Sequence, residues 1–153
     1  MPPSEEDLKD LFRLFNEINI VSQLSGALFN RLMPDGLHVS HFAVLNHLVR
    51  LGDGRTPLQI ASALQVTKAT MTHTIGVLSQ RGFVRLEPHE TDGRSKLVFL
   101  TEAGRSHRDK AIERLWPTFS KLGTQLDLQV ILQILPQLEA LRQVLDTERD
   151  GDR

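Results

Sequence analysis

The sequence predicts a mostly α-helical fold carrying one small β-hairpin. Three observations predict it. Most of the chain repeats apolar residues every three or four positions, as amphipathic helices do. Only Phe83-Val84-Arg85-Leu86 and Lys96-Leu97-Val98-Phe99-Leu100 change to β-rich runs. Capping and turn residues stand at the changes of period. The 153 residues, 40% of them apolar and 24% charged, are enough for one domain with a real core and argue against wholesale disorder.

From Ser4 to about Met33, Leu8, Leu11, Phe12, Phe15, Ile18 and Val21 predict a long first helix, broken by Met33-Pro34-Asp35-Gly36. A second helix is expected over Val39 to Leu51, with Phe42, Leu45, Leu48 and Val49 on one face and Gly52-Asp53-Gly54 closing it. Thr56-Pro57-Leu58-Gln59 is a helix start. Thr56 fits the N-cap, Pro57 the first helical position, and Gln59 the third position of a capping box. That helix is short and ends near Leu64. Gln65-Val66 turns the chain, and Thr67 caps a further helix to about Gln80, ended by Gly82.

The two β-rich runs, with Asp92-Gly93 in the polar loop between them, read as a long-looped hairpin. Thr101 is expected to cap the next helix, which carries Ile112, Leu115 and Phe119, and Pro117 to bend or break it. A last helix is expected from about Leu126 to Leu145, kinked at Pro136, with the tail from Thr147 to Arg153 frayed.

Composition excludes several chemistries. Without cysteine there is no disulfide framework, no thiolate zinc site, no thiol nucleophile and no thiol redox sensor. No apolar run approaches the ~18 residues of a membrane span. The acidic Met-Pro-Pro-Ser-Glu-Glu-Asp start is unlike a signal peptide, so a cytoplasmic protein without a membrane partner is expected. The net charge of −1 conceals an asymmetry. Arg55 to Lys110 holds nine Lys/Arg against five acids, a surplus of +4, and the remainder sums to −5. A basic middle between acidic ends suits contact with a polyanion.

The helix opened by Thr67 carries the functional reading. Met71, Ile75 and Leu78 form its apolar stripe. The opposite face is Ala69, His73, Gly76 and Gln80, flanked by Thr70 and Thr72. That face is small and polar, so it can approach another surface closely. Thr, His and Gln can hydrogen-bond base edges or phosphates, and Ala and the Thr methyl can meet a thymine methyl. Thr67 and Lys68 stand at the helix N-terminus, where free N–H groups favour phosphate. The loop Pro88 to Lys96 projects Arg94 and Lys96, and an arginine at a loop tip can enter a minor groove. Asp92, two residues from Arg94 across a tight turn, is expected to fix the direction of its guanidinium.

The run from Thr56 to His73 (TPLQIASALQVTKATMTH), Leu78-Ser-Gln-Arg-Gly-Phe-Val84, Asp92-Gly-Arg94 and Leu100-Thr-Glu-Ala-Gly-Arg105 resembles the MarR family of winged helix-turn-helix transcription regulators. The motifs span about a third of the chain; the flanking helices match by position and apolar pattern. The resemblance implies an N-terminal dimerisation helix over 1–37, a winged helix-turn-helix DNA-binding domain over 38–104, and C-terminal dimerisation helices over 105–153. It implies a homodimer on a pseudo-palindromic duplex and a repressor tuned by a small aromatic or phenolic effector. By position, Thr67, Lys68, Thr70, Thr72, His73, Arg94 and Lys96 would contact double-stranded DNA and Asp92 would orient the wing. Arg13, Phe15 and His41 would line the effector cleft. His73 stands where many relatives carry arginine, and His38 and His41 where threonine and glutamine are more typical.

Other readings compete. Six histidines raise a metal-responsive regulator, but no HExxH is present and His47 points about 120° from His41 on their shared helix. No Gly-rich phosphate loop, Gly-x-Ser-x-Gly or paired carboxylates suggest an enzyme, and no cofactor or metal is expected. A winged helix that docks protein is the remaining rival, against which stands the absence of aromatics on the 67–80 face.

Overall fold

The computed structural model describes residues 1–151. Helix α1 spans Glu5–Leu32, α2 Val39–Leu51, α3 Pro57–Ala63 and α4 Lys68–Gln80. Strands β1 (Val84–Pro88) and β2 (Lys96–Leu100) follow, then α5 (Glu102–Gly123), α6 (Leu128–Leu132) and α7 (Leu135–Gly151). The chain divides into two compact units, Met1–Leu115 and Trp116 onward. The fold is mostly helical with a two-stranded antiparallel wing, as the periodicities predict.

Local chemistry accounts for the starts of these helices. Ser4 caps α1 through a reciprocal box with Asp7, and Thr56 does the same for α3 with Gln59. The Thr67 side chain accepts the N–H of Thr70 at 3.1 Å, opening α4. Between α3 and α4 the chain reverses through Gln65, whose φ of 59° is the left-handed conformation that so tight a turn requires.

The first unit has its core where α2, α3, α4 and the hairpin meet. Val44, Leu45, Ile60, Leu78 and Val98 are all fully enclosed there, and Met71 and Ile75 join them. β1 and β2 pair from Val84 opposite Leu100 to Pro88 opposite Lys96. On the other edge of β2, Val98 donates its N–H to the Arg55 carbonyl at 2.8 Å and accepts the Gly54 N–H at 3.0 Å. The hairpin is thereby tied to the segment that opens α3.

Thr101 fastens the opposite end. Its hydroxyl donates to the Gly82 carbonyl at 2.6 Å and accepts the Gly104 N–H at 3.0 Å, and its own N–H reaches the Phe83 carbonyl at 3.1 Å. Gly104 packs so closely on Phe83 that a Cβ would fall on the Phe83 carbonyl oxygen. The strand pair is thus tied to the start of α3 at its middle and to the end of α4 at its base.

The structure corrects three expectations. α5 continues through Pro117 without a break. The last helix is two helices, divided at Gln133-Ile134. Pro136 is the second residue of α7, where its missing N–H would have had no helical partner, so it does not kink a continuous helix. The tail is helical to Gly151, with Arg142 and Asp146 paired one turn apart; Asp152 and Arg153 lie outside the described residues. No helix among the described residues is long and apolar enough to cross a membrane.

Candidate nucleic-acid interface

α4 turns the expected faces in and out. Met71, Ile75 and Leu78 are buried, whereas Lys68, Ala69, Thr70, Thr72, His73, Gly76 and Gln80 are exposed. Thr74, a polar residue not expected among the buried positions, is also buried. Its hydroxyl donates to the Thr70 carbonyl at 3.0 Å, and that internal bond lets a threonine sit in the apolar stripe.

The wing presents its cations beside this face. A groove of about 580 Å³ is lined by Lys68, Thr72 and Gly76 of α4 and by Asp92, Arg94 and Lys96 of the wing. The exposed recognition face and the arginine of the wing therefore open onto one concavity. Lys68, Arg94 and Lys96 make no ion pair among the described residues, leaving three cations available to an anion there. Arg85 is already engaged on the hairpin, paired with Glu87 and lying 4.6 Å from the centroid of the Phe99 ring.

The wing loop is ordered by its own polar side chains. The Asp92 carboxylate accepts the backbone N–H of Arg94 at 3.0 Å, and the Asp92 carbonyl accepts the N–H of Ser95 at 3.1 Å. This corrects the expected pairing with the guanidinium. An acceptor two residues upstream in a tight turn meets the main-chain donor first, so Asp92 shapes the turn and leaves the Arg94 side chain free. His89 Nδ1 accepts the N–H groups of Thr91 at 3.3 Å and Asp92 at 3.2 Å from within the same loop.

Pro57, Leu58, Leu86 and Ser95 also line the groove, although the sequence reading did not single them out. The Thr56 capping box was the available signal, since it places Pro57 and Leu58 in the first turn of α3, where one face meets solvent.

The three proposed cleft residues are not brought together within one chain. His41 is buried near the start of α2 and accepts the His38 N–H at 3.0 Å. From α1, Asn30 reaches the start of α2 and accepts the Val39 N–H at 2.7 Å. Arg13 and Phe15 stand on α1 roughly 25 Å of helix before it. None of the three lines the groove.

Burial holds His41 below the ordinary imidazole range, and the neighbouring His38 lowers it further. Burial likewise depresses His107, against the opposing pull of Asp35 at 3.5 Å; its ring also stacks on Phe83. Burial and then Arg55 depress His47. Among the described residues no three His, Asp or Glu side chains are grouped to hold a metal ion.

Residues 35–95 match the pattern of the MarR family. An uncharacterised HTH-type transcriptional regulator of Mycobacterium leprae, ML2140, is 30% identical over 112 residues, covering 67% of this chain and 78% of its own. The transcriptional activatory protein BadR of Rhodopseudomonas palustris is 31% identical over 96 residues, and the match spans 61% of this chain and about half, 53%, of BadR. Among solved structures, the regulator BldR of Sulfolobus solfataricus superposes with a TM-score of 0.76 at 22% identity, covering 95% of this chain and 99% of that one. A mutant MarR from E. coli complexed with operator DNA superposes at 0.72 and 22% identity, covering 86% and 95%. CouR from Rhodococcus jostii, bound to p-coumaroyl-CoA, superposes at 0.68 and 22% identity, covering 81% and 87%.

Proposed function

Because the chain belongs to the MarR family of winged helix-turn-helix, DNA-binding transcriptional regulators, we propose that it works as a homodimeric, ligand-responsive repressor of pseudo-palindromic operators. The observation that carries the DNA-contact assignment is the shared groove. α4 enters a major groove with Lys68 and Thr72 from that concavity and with Thr67, Thr70 and His73, exposed but outside its lining, and the wing brings Arg94 and Lys96 to the backbone or the adjoining minor groove. Asp92 holds the turn from which Arg94 extends. The complex of the E. coli MarR mutant with operator DNA supports the same mode here.

Dimerisation is supported by unpartnered apolar surface on the flanking helices. No residue of α1 is buried, and Phe12 and Leu24 are 75% and 67% exposed. α6 and α7 likewise expose Val130, Leu132, Leu135 and Val144. Monomeric proteins rarely leave such stripes to water. We assign residues 1–37 and 105–153 to dimer contacts, flanking the DNA-binding segment 38–104. Two recognition helices a helical turn apart would then read two half-sites.

The p-coumaroyl-CoA bound by CouR supports a small aromatic or phenolic effector. It must prefer one spacing of the recognition helices over another. A pocket using Arg13, Phe15 and His41 together would take its α1 residues from the partner chain.

Selection of bound fragments from random duplexes, followed by affinity measurements across a salt series, tests this reading. Recovery of paired half-sites about ten base pairs apart is expected, with affinity falling roughly 10³-fold between 50 and 200 mM salt for six phosphate contacts. A flat salt response, or no enriched sequence, would refute it.

A further inference from the structure

The hydroxyls of the recognition-helix threonines are engaged within the chain. Thr72 Oγ1 donates to the Lys68 carbonyl at 2.9 Å, one turn back along α4. Thr67 Oγ1 accepts the Thr70 N–H at 3.1 Å and donates to Thr70 Oγ1 at 2.9 Å. A threonine that bonds its hydroxyl to the preceding turn spends its one O–H donor there. What Thr72 then offers outward is its methyl group, with no hydroxyl donor left for a base edge and only the acceptor side of its oxygen. Thr72 is also the threonine of α4 that lines the groove facing Arg94 and Lys96. Of its neighbours on the exposed face, Ala69 and Gly76 add only a methyl and a hydrogen, and the one long side chain, Lys68, is a flexible cation suited to the phosphates beside a base edge.

Resting on the DNA-contact reading above, we propose that Thr72 reads the operator through its methyl group, by apolar contact with the 5-methyl of a thymine, and not through its hydroxyl. Thymine alone among the four unmodified bases places a methyl in the major groove, so this contact selects one base at one position of each half-site. His73 is exposed one residue away and has no hydrogen-bond partner among the described residues, leaving it the hydrogen-bonding reader of the same turn. The two residues divide the work: shape and apolar contact from Thr72, polar contact from His73.

Two substitutions separate the methyl from the hydroxyl. Thr72→Val keeps a methyl in place and removes the hydroxyl; Thr72→Ser does the reverse. The full-length wild type and both variants, with folding verified by circular dichroism, would be titrated against the selected operator. Duplexes with deoxyuridine replacing each thymine in turn would be titrated in parallel.

One thymine should emerge whose demethylation weakens the wild type and Thr72→Val roughly three- to five-fold per half-site, as loss of one buried methyl does. Thr72→Ser should bind the natural duplex weakly by the same factor and be indifferent to deoxyuridine at that position. The proposal is overturned if Thr72→Val loses binding while Thr72→Ser keeps it. It is equally overturned if the wild type tolerates deoxyuridine everywhere, or if the two variants respond alike. A wild-type chain that selects no duplex would instead bring down the DNA-binding reading itself, and with it this one.

Discussion

The helices of the central lobe, residues 37–98, and the flanking helix α1 are written in the same apolar period, yet they end in opposite environments. In α2 and α4 the stripe residues Leu45, Leu48, Met71, Ile75 and Leu78 are buried within the chain. In α1 the equally regular Leu8, Leu11, Phe12, Val21 and Leu24 all remain exposed. Periodicity reveals that a face wants cover, but not what will cover it. The central lobe satisfies its stripes because α3 and the hairpin fold back over them. Among the described residues no side chain of α1 is buried, which is the physical argument for a second copy.

The largest test removes the C-terminal part of that apolar surface. The full chain should sediment as a dimer. Truncation before Leu126 should abolish dimerisation and lower operator affinity by orders of magnitude, because a single recognition helix cannot join two half-sites. A full-length chain that sediments as a folded monomer would erase the contrast drawn between the two regions.

A change where α5 packs on the central lobe comes next. Gly104→Ala places a methyl on the Phe83 carbonyl, a backbone atom that cannot swing aside. Overpacking there should destabilise the protein by about 3 kcal/mol or more, seen as a lowered denaturant midpoint. Gly26→Ala, in the middle of α1, has nothing within 4 Å of its added methyl and replaces a weak helix former with the best one. It should leave stability unchanged or raise it by up to about 1 kcal/mol. Equal costs at the two glycines would mean that the regions do not differ as argued.

Most of the fold was legible because its determinants are local. The Thr56 and Gln59 side chains meet the backbone three residues away, as their spacing announces, and the α2 and α4 boundaries follow from caps and glycines in the same way. The face of α4 was legible for a similar reason, since helical geometry alone separates Met71, Ile75 and Leu78 from His73 and Gly76. What was not legible depends on competition between partners. Asp92 can be drawn to the Arg94 guanidinium or to its backbone N–H, and only the turn geometry decides for the second. Thr74 looks like a surface residue until the Thr70 carbonyl takes up its hydroxyl. Pro136 has the same chemistry at a kink as in the first turn of a helix. Its role follows from where the backbone is interrupted, and no side chain announces that point.

Arg94→Ala should weaken operator binding about tenfold while leaving the melting temperature and the dimer unchanged, since the side chain has no partner among the described residues. The salt dependence should become shallower by about one phosphate contact. Unchanged affinity would remove the wing from the interface.

A smaller effect comes from the buried histidines of α2 and α5. His41 and His107 are held below the ordinary imidazole value of about 6.5, first of all by burial, so the folded chain resists their protonation more than the unfolded chain does. Their neutral forms support stability fully above that value. The support is lost as pH falls below about 6.5 toward the depressed folded values, because there the unfolded state binds more protons. Thermal melts between pH 7.5 and pH 5.5 should show stability falling with acidification, and His41→Gln should flatten that slope. A slope unchanged by the substitution would assign the pH response to other groups.

The finest distinction concerns Asp92. If its carboxylate serves only to accept the Arg94 N–H, Asp92→Asn keeps the acceptor oxygen and loses nothing but a negative charge in the groove proposed to meet phosphates. Operator affinity should then stay level or rise slightly, by about twofold, as removal of one repulsive charge near a screened backbone allows. Asp92→Ala removes the acceptor as well, loosens the turn, and should bind less tightly than Asp92→Asn at every salt concentration. The ordering of the two variants in a gel-shift titration carries the argument. Were asparagine as harmful as alanine, the charge itself would be needed, and the contact would have to reach the guanidinium after all.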